Sequence, residues 1–331
     1  MPLHDISYQH WDGAHLGVWR RRLAIARNGL TACLRIKWMW HTVLLCWILA
    51  LAMIGFLFVV GQLLVADSVV VQQIGNFNVQ LQSFARMLTS WLEQHPEISV
   101  RTTQNLLFYY FCTWLMWGSI YAIGMAMPVL ITRDLGSNAI IIYSSKAVSR
   151  GDYVLGKFAT VFGLMSLTWL GPVCAAWFTG NLLAPDWGFF WHSRMALIHA
   201  LTYGLVCMSV LSLLALGVSA ISAREKSTAA FWYVWWIVGF VIAGIAAHTQ
   251  PWLRHLSFNF NLNQVALAVF RLGDDLNVAR ENIPVFGQML GNVRPQTLNA
   301  INHPPVAGSL FWLLLMLAGA ALILRKRVKP E

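Results

Sequence analysis

Six long runs of apolar residues constrain this chain more than any other feature. A helix needs about 20 mostly apolar residues to cross the hydrocarbon core of a bilayer, and each run is about that long or longer. The runs are Trp38–Val65, Leu106–Ile131, Val154–Leu183, Met195–Ala220, Thr228–Ala247 and Val306–Leu324. Their interiors contain almost no charged residues; Lys157 lies near one end of the third run. The sequence therefore predicts an all-α integral membrane protein with six transmembrane helices.

The composition excludes a soluble fold. Hydrophobic residues make up 58% of the chain and charged residues 11%, whereas about a quarter of the residues in soluble domains are charged. Indole side chains collect where hydrocarbon meets headgroups, so the aromatic run Phe231–Trp236 predicts a belt at one membrane boundary. Gly171-Pro172 in the third run predicts an interruption of that helix.

The distribution of basic residues predicts the orientation. The N-terminal segment, the connections between runs two and three and between runs four and five, and the C-terminal tail together hold 16 basic and six acidic residues. The other side holds seven of each, so the formal net charge of +10 falls on one side. Lys and Arg are enriched on the cytoplasmic side, which predicts that both termini are cytoplasmic. These residues are scattered beside the membrane, which favours anionic lipid as their partner and not nucleic acid.

Two parts follow from this layout: a cytoplasmic N-terminus, residues 1–37, and a six-helix membrane domain, residues 38–331. Within 1–37, Leu16–Lys37 predicts an interfacial elbow helix. Its apolar stripe consists of Leu16, Trp19, Leu23, Ala26, Leu30 and Leu34. Two roles stay open: an anchor that lies on lipid, or an elbow that also touches a cytoplasmic partner.

The outer loops, about 66–105 and 248–305, predict further helices. The first contains an amphipathic pattern with apolar residues every three or four positions. They are Val70, Ile74, Phe77, Leu81, Phe84, Leu88 and Trp91. In the second loop, Leu262–Leu272 and Thr297–Ile301 predict short helices, and its phenylalanines favour an ordered cap.

No nucleotide-binding, metal-protease or serine-hydrolase motif occurs in the chain. The five cysteines lie in or beside apolar runs, which predicts that they are small buried hydrophobes. The ten histidines are dispersed, so no metal site or other cofactor is expected on this chain. Ion-coupled transporters place ionisable residues inside the membrane, and the apolar runs lack them. If the protein moves a substrate, the energy must come from elsewhere.

The connection between runs two and three carries the functional hypothesis. It has a charged start, a short apolar helix, a serine-rich turn and a charged end, within about residues 132–153. A short helix held between two spans suits a lever pushed by a cytoplasmic partner, and an ordinary connector is the alternative. The residues that define the pattern are Arg133, Asp134, Leu135, Ser149, Arg150, Asp152, Tyr153, Gly156 and Lys157.

This 27-residue stretch, Ile131–Lys157, resembles the corresponding loop of ABC-2 type permeases, the membrane subunits of a class of ABC transporters. The pairs Arg133-Asp134, Ser149-Arg150, Asp152-Tyr153 and Gly156-Lys157 match the family pattern in order and spacing. Ala147 stands where many members have proline. Six spans, an elbow before the first and a long outer loop between the last two are also similar to that family.

The resemblance implies a half-transporter in the bacterial cytoplasmic (inner) membrane. Export is the expected direction of transport. A second permease copy or a paralogue would pair with it, and two separate ABC ATPase subunits would dock on the inner face. ATP and Mg would then bind to the ATPase, so this chain would not itself be an enzyme. Arg133, Asp134, Leu135, Ser149, Arg150, Asp152 and Lys157 would couple it to the ATPase.

Two alternatives stay open. One is a non-transporting membrane scaffold or assembly factor, with or without an ATPase, that binds a partner through its outer loops. The other is a membrane enzyme acting on lipid at the outer surface, with His192, His199, Asp274 and Asp275 as its candidate residues.

Overall fold

A computed structural model describes residues 17–63, 96–139, 149–246, 250–282 and 295–328. Every regular element within those ranges is helical. Six helices are long and apolar enough to cross a membrane, which confirms the predicted all-α, multi-pass architecture. Spans one to six are Lys37–Leu63, Pro96–Gly136, Arg150–Leu182, Gly188–Ser219, Glu225–Ile245 and Val306–Arg327. The predicted amphipathic stripe from Val70 to Trp91 and the middle of the 132–153 connection, residues 140–148, lie outside the described residues.

Shorter helices flank the spans. Val18–Leu34, the elbow helix, precedes span one. Between spans five and six lie a 3₁₀ turn and three helices: Pro251–Leu256, Phe258–Phe270, Leu272–Asn282 and Pro295–Asn302. The two predicted short helices are present, each longer than predicted. We call Phe258–Phe270 the inserted helix and Leu272–Asn282 the cap helix.

Spans two and four form the centre of the bundle. In each, 67% of the most apolar stretch is buried, compared with 44% in span three. The corresponding values for spans one, five and six are 28%, 22% and 17%. Apolar side chains on these outer spans stay exposed, as expected for helices whose outer faces contact lipid. Four of the cysteines are buried as predicted, but Cys174 is exposed, because it lies on an outward face of span three.

The elbow helix packs lengthwise on the first half of span three. Its buried residues on the face towards span three are Ala26, Gly29 and Cys33. Trp19 and Leu23 of the predicted stripe are 78% and 68% exposed, as expected for side chains of an interfacial helix that contact lipid. Small residues occupy this face because the two helices approach closely. A Cβ atom added to Gly29 would lie 2.4 Å from Thr160 Oγ1.

Span three contains a π-helical turn, Ser166–Leu170, immediately before Gly171-Pro172. There the Gly171 amide bonds to the Ser166 carbonyl, five residues back. The Leu167 carbonyl is thereby released, and the indole of Trp47 in span one donates to it at 3.1 Å. At the predicted interruption, the helix therefore contains one widened turn with an extra residue. The carbonyl that this turn frees binds span one.

Two tryptophans of the aromatic run in span five pack inside the bundle, whereas Phe231 is 46% exposed. Trp232 is fully buried and Trp236 is 3% exposed. The Trp232 indole donates to the Ile120 carbonyl of span two at 2.9 Å. A buried indole usually finds such an acceptor, and this contact accounts for the inward position of Trp232.

The inserted helix fills the half of the bundle away from the basic residues. It begins at Phe258, whose ring contacts Trp235 and Trp236, midway along span five. It ends at Phe270, which packs on Tyr109 and Tyr203. The chain therefore leaves span five, turns back along it, and runs out again between spans two, four, five and six. We call the end of the bundle that holds Arg133, Arg150 and Arg325 the basic end, and the other the opposite end.

Replacing Gly156 by alanine should loosen the elbow helix. A Cβ atom there would lie 2.7 Å from both Ile25 Cβ and Ile25 Cγ2, and overpacking of this kind costs about 1–3 kcal/mol. We expect a lower midpoint of thermal unfolding for the detergent-solubilised protein. Gly151→Ala is the matched control, because the nearest atom to its added Cβ is 3.8 Å away. Equal midpoints for the two variants would contradict the packing described.

Candidate functional site at the basic end

The connection between spans two and three begins with a short helix, Thr132–Gly136. Thr132 is buried, and its hydroxyl donates to the Ser219 carbonyl at the end of span four, at 2.8 Å. Asn138 follows with a φ of 53°, a left-handed conformation that asparagine tolerates well. The turn directs the chain into residues 140–148.

Lys157 is largely enclosed beside the connection. Its side chain is 9% exposed, and Nζ lies 2.7 Å from Asp134 Oδ2. Nζ also donates to the carbonyls of Leu130 at 2.6 Å and Val129 at 3.1 Å. An ammonium has three N–H donors, so these three acceptors satisfy it fully.

The acceptors for Lys157 lie where span two is irregular. The α-helix ends at Ala126, a 3₁₀ turn, Met127–Val129, follows, and the short helix Thr132–Gly136 begins three residues later. Carbonyls between two such helical segments lack the donors of a continuous helix and need others. Tyr153 adds to the group by donating from its hydroxyl to Asp134 Oδ2 at 2.6 Å.

Ser149 and Asp152 start span three as a capping box. The Asp152 amide donates to Ser149 Oγ at 3.1 Å, and the Ser149 amide donates to Asp152 Oδ2 at 3.3 Å. The other carboxylate oxygen, Oδ1, binds Arg22 Nε at 2.6 Å. Asp152 therefore caps its own helix and fixes the elbow helix to it.

Arg150 and Arg133 reach two further segments. The Arg150 guanidinium donates to the carbonyls of Leu324 and Arg325, near the end of span six, where a cation also interacts favourably with the helix dipole. Arg133 pairs with Glu225, at the start of span five, at 3.0 Å. This pair is exposed, with 58% of the Arg133 side chain and 46% of the Glu225 side chain accessible.

All seven predicted coupling residues therefore lie at one end of the bundle, but most are engaged within the chain. Asp134, Ser149, Arg150, Asp152 and Lys157 hold the connection to other segments. Leu135 packs partly buried against the main apolar core. Arg133 is the predicted coupling residue with the most exposed charge.

Three participants were missed by the sequence reasoning: Arg22, Glu225 and the hydroxyl of Tyr153. The sequence did contain a signal for Arg22 and Glu225. Acidic residues are scarce on the basic side, and each acidic residue there would need a nearby cation. Which cation pairs with which carboxylate depends on how the helices pack, and that information is not in the local sequence.

The titratable residues away from the connection were also candidates for chemistry. In the part of the chain that the structure describes, no group of three or more His, Cys, Asp or Glu residues is placed to hold a metal ion. Burial raises the pKa of the Cys33 thiol to about 11, which keeps it protonated near neutral pH. His199 contacts Asn105 through Nδ1 at 3.1 Å, within a separate polar group at the opposite end. A comparison of the sequence with known protein families and with curated proteins finds no match.

Breaking the Lys157–Asp134 pair should strongly destabilise the bundle. Lys157→Met leaves a largely buried carboxylate and two main-chain carbonyls without their donor, and losing one partner of a buried pair costs about 3–5 kcal/mol. We expect a large fall in the thermal midpoint, whereas Lys226→Met, at an exposed position, should leave it unchanged.

A double-mutant cycle with Asp134→Asn separates the pair from its surroundings. The double variant should lose less stability than the sum of the two single variants, because no unpaired charge remains. Strict additivity would show that the two groups do not interact.

Proposed function

We propose that this chain is the permease subunit of an ABC-2 type transporter, driven by a separate cytoplasmic ATPase and exporting its substrate. The observation that carries the proposal is the way the 132–153 connection is attached. Its motif residues bind the elbow helix, the end of span two, the start of span three, the start of span five and the end of span six. A force applied to this connection would therefore reach each of these segments.

Two sequence features support the same proposal. The chain has no nucleotide-binding motif, so a partner must supply ATP hydrolysis, and the apolar runs lack the ionisable residues that ion coupling uses. The motif pattern resembles the family at the positions that hold the connection in place. Two copies, or one copy and a paralogue, would enclose the substrate path in the bacterial inner membrane.

The structure divides the coupling residues into two groups under this proposal. Asp134, Ser149, Arg150, Asp152 and Lys157 would stiffen the connection and transmit its movement. Arg133, with the exposed residues Ser137 and Asn138 beside it, would contact the ATPase directly. We therefore expect different defects from the two groups.

The orientation can be tested with single cysteines placed in a background without the five native ones. Ser137→Cys at the basic end should react with a membrane-impermeant maleimide only in inverted vesicles. Glu281→Cys, exposed on the cap helix at the opposite end, should react only in right-side-out vesicles. Labelling of both positions from the same side would overturn the six-span topology.

The ATPase partnership can be tested by purifying the tagged full chain from native membranes. A protein with a Walker A sequence should co-purify in equimolar amount, and its absence would count against the permease proposal. Arg133→Glu should reduce this co-purification and the ATP hydrolysis of the complex. A pure scaffold would keep its function after that change.

The exposed pair offers a sharper control. If Arg133 serves only to hold Glu225, the exchange Arg133→Glu with Glu225→Arg restores the pair and should restore ATPase binding. If Arg133 contacts the ATPase, as we propose, the exchanged variant stays defective although its thermal midpoint matches that of the unaltered protein. Recovery of binding would assign Arg133 to an internal role.

A further inference from the structure

A cleft of about 240 Å³ opens at the opposite end of the bundle. Three segments enclose it: the first turns of span two, the first turns of span four and the cap helix. Its polar lining includes Glu97, Arg101, Arg194 and Asp275, and its apolar lining includes Ile98 and Met195. None of the coupling residues contributes to this cleft.

Asp275 forms a fixed floor of the cleft. Its side chain is 3% exposed, and Oδ1 accepts from Arg101 Nε at 2.8 Å and from Arg101 Nη2. Asn105 donates to the other oxygen, Oδ2. The charge of Asp275 is thus compensated within the chain, and Arg101 is held at the wall with half of its side chain exposed.

Arg194 is held at the wall by a different contact. Its guanidinium carbon lies 3.8 Å from the centre of the Trp191 ring, and Nη1 donates to the Trp191 carbonyl at 2.8 Å. Stacking on the indole restricts the side chain but leaves further N–H groups for a ligand. Glu97 is exposed at the same cleft and forms no ion pair within the described ranges.

Among the Arg, Asp and Glu side chains of the lining, the two without an internal ion pair are Arg194 and Glu97; His192 also lines the cleft. A ligand that carries only negative charge would meet the Glu97 carboxylate, and one that carries only positive charge would meet the Arg194 guanidinium. A ligand with adjacent phosphate and ammonium groups matches both. Trp191, which lines the cleft, is 66% exposed, and exposed indoles are typical of the level of lipid headgroups.

We propose that this cleft binds the phosphoethanolamine headgroup of a phospholipid. The phosphate lies against Arg194 and the exposed edge of Arg101, and the ammonium pairs with Glu97. The glycerol end lies along Ile98, Met195 and Val278. Lipid binding at this site does not require an ATPase partner. The proposal can therefore be tested independently of the proposed transport function.

Native mass spectrometry of the detergent-solubilised full chain tests the proposal with dihexanoyl-phosphatidylethanolamine below its critical micelle concentration. The comparison ligands are dihexanoyl-phosphatidylglycerol, which lacks the ammonium, and glycerophosphoethanolamine, which lacks the acyl chains. We expect phosphatidylethanolamine to bind most tightly. Equal binding of phosphatidylglycerol would overturn the zwitterionic site, and equal binding of glycerophosphoethanolamine would overturn the lipid as the source of the headgroup.

Two variants locate the bound headgroup. Glu97→Gln should weaken phosphatidylethanolamine binding about tenfold, as expected for one lost charge-assisted contact, and leave phosphatidylglycerol unaffected or tighter. Arg194→Gln should weaken both lipids. Arg280→Gln is the matched control, because Arg280 is exposed on the same cap helix but does not line the cleft.

Unchanged lipid binding in Glu97→Gln and Arg194→Gln would overturn the site. A thermal midpoint measured for each variant shows whether it is folded. If Arg194→Gln does not fold, Arg194→Lys keeps the charge without the planar stacking group, and it should retain part of the affinity for both lipids. Full loss of selectivity between the two lipids in Arg194→Lys, with Glu97 intact, would contradict the assignment of the ammonium to Glu97.

Discussion

The ammonium of Lys157 is the group on which the arrangement of the basic end depends. A charge largely removed from water is stable only when its donors are fully satisfied, and Lys157 meets this condition with Asp134 and the carbonyls of Val129 and Leu130. Those carbonyls lie between the 3₁₀ turn and the short helix Thr132–Gly136, where a continuous helix would have satisfied them. Lys157 thus joins the end of span two to the start of span three, and the connection between them is held at its base.

Polar contacts and close packing together join the helices of the bundle. Helices in lipid gain little from hydrophobic burial against each other, so small residues and interhelical hydrogen bonds determine which faces meet. Gly124 against Tyr233 of span five and Gly217 against Ala320 of span six are such close approaches. Within the spans, the Trp47 and Trp232 indoles bind carbonyls of neighbouring helices. At the opposite end, Arg101, Asn105 and Asp275 fix the cap helix.

The number, positions and approximate ends of the spans follow from the apolar runs, because run length is set by bilayer thickness and is independent of packing. Packing decides the rest. The apolar stripe of the elbow helix, with Trp19 and Leu23, can be read from the sequence, but the face that packs on span three is the smaller one at Gly29, which approaches Thr160 closely. Trp232 is as apolar as a belt residue, and its inward position depends on the Ile120 carbonyl of another span. In the sequence, the asparagines of the inserted helix make it look like part of an outer loop. In the structure, Asn263 binds Tyr109 and Asn261 binds His255. These hydrogen bonds allow the asparagines to lie within the bundle.

The internal engagement of the motif residues changes what the resemblance to ABC-2 permeases implies. A loop that transmits a force must be held firmly at its base. Exposed ion pairs contribute about 0–1 kcal/mol each and would be broken easily. The enclosed Lys157 group and the Asp152 capping box resist displacement much more strongly. Sequence similarity at these positions would therefore reflect a shared way of stiffening the loop, whereas the choice of partner would depend on exposed positions such as Arg133. On this reasoning, a permease could exchange its ATPase by changing the exposed tip of the loop while keeping the residues that anchor its base.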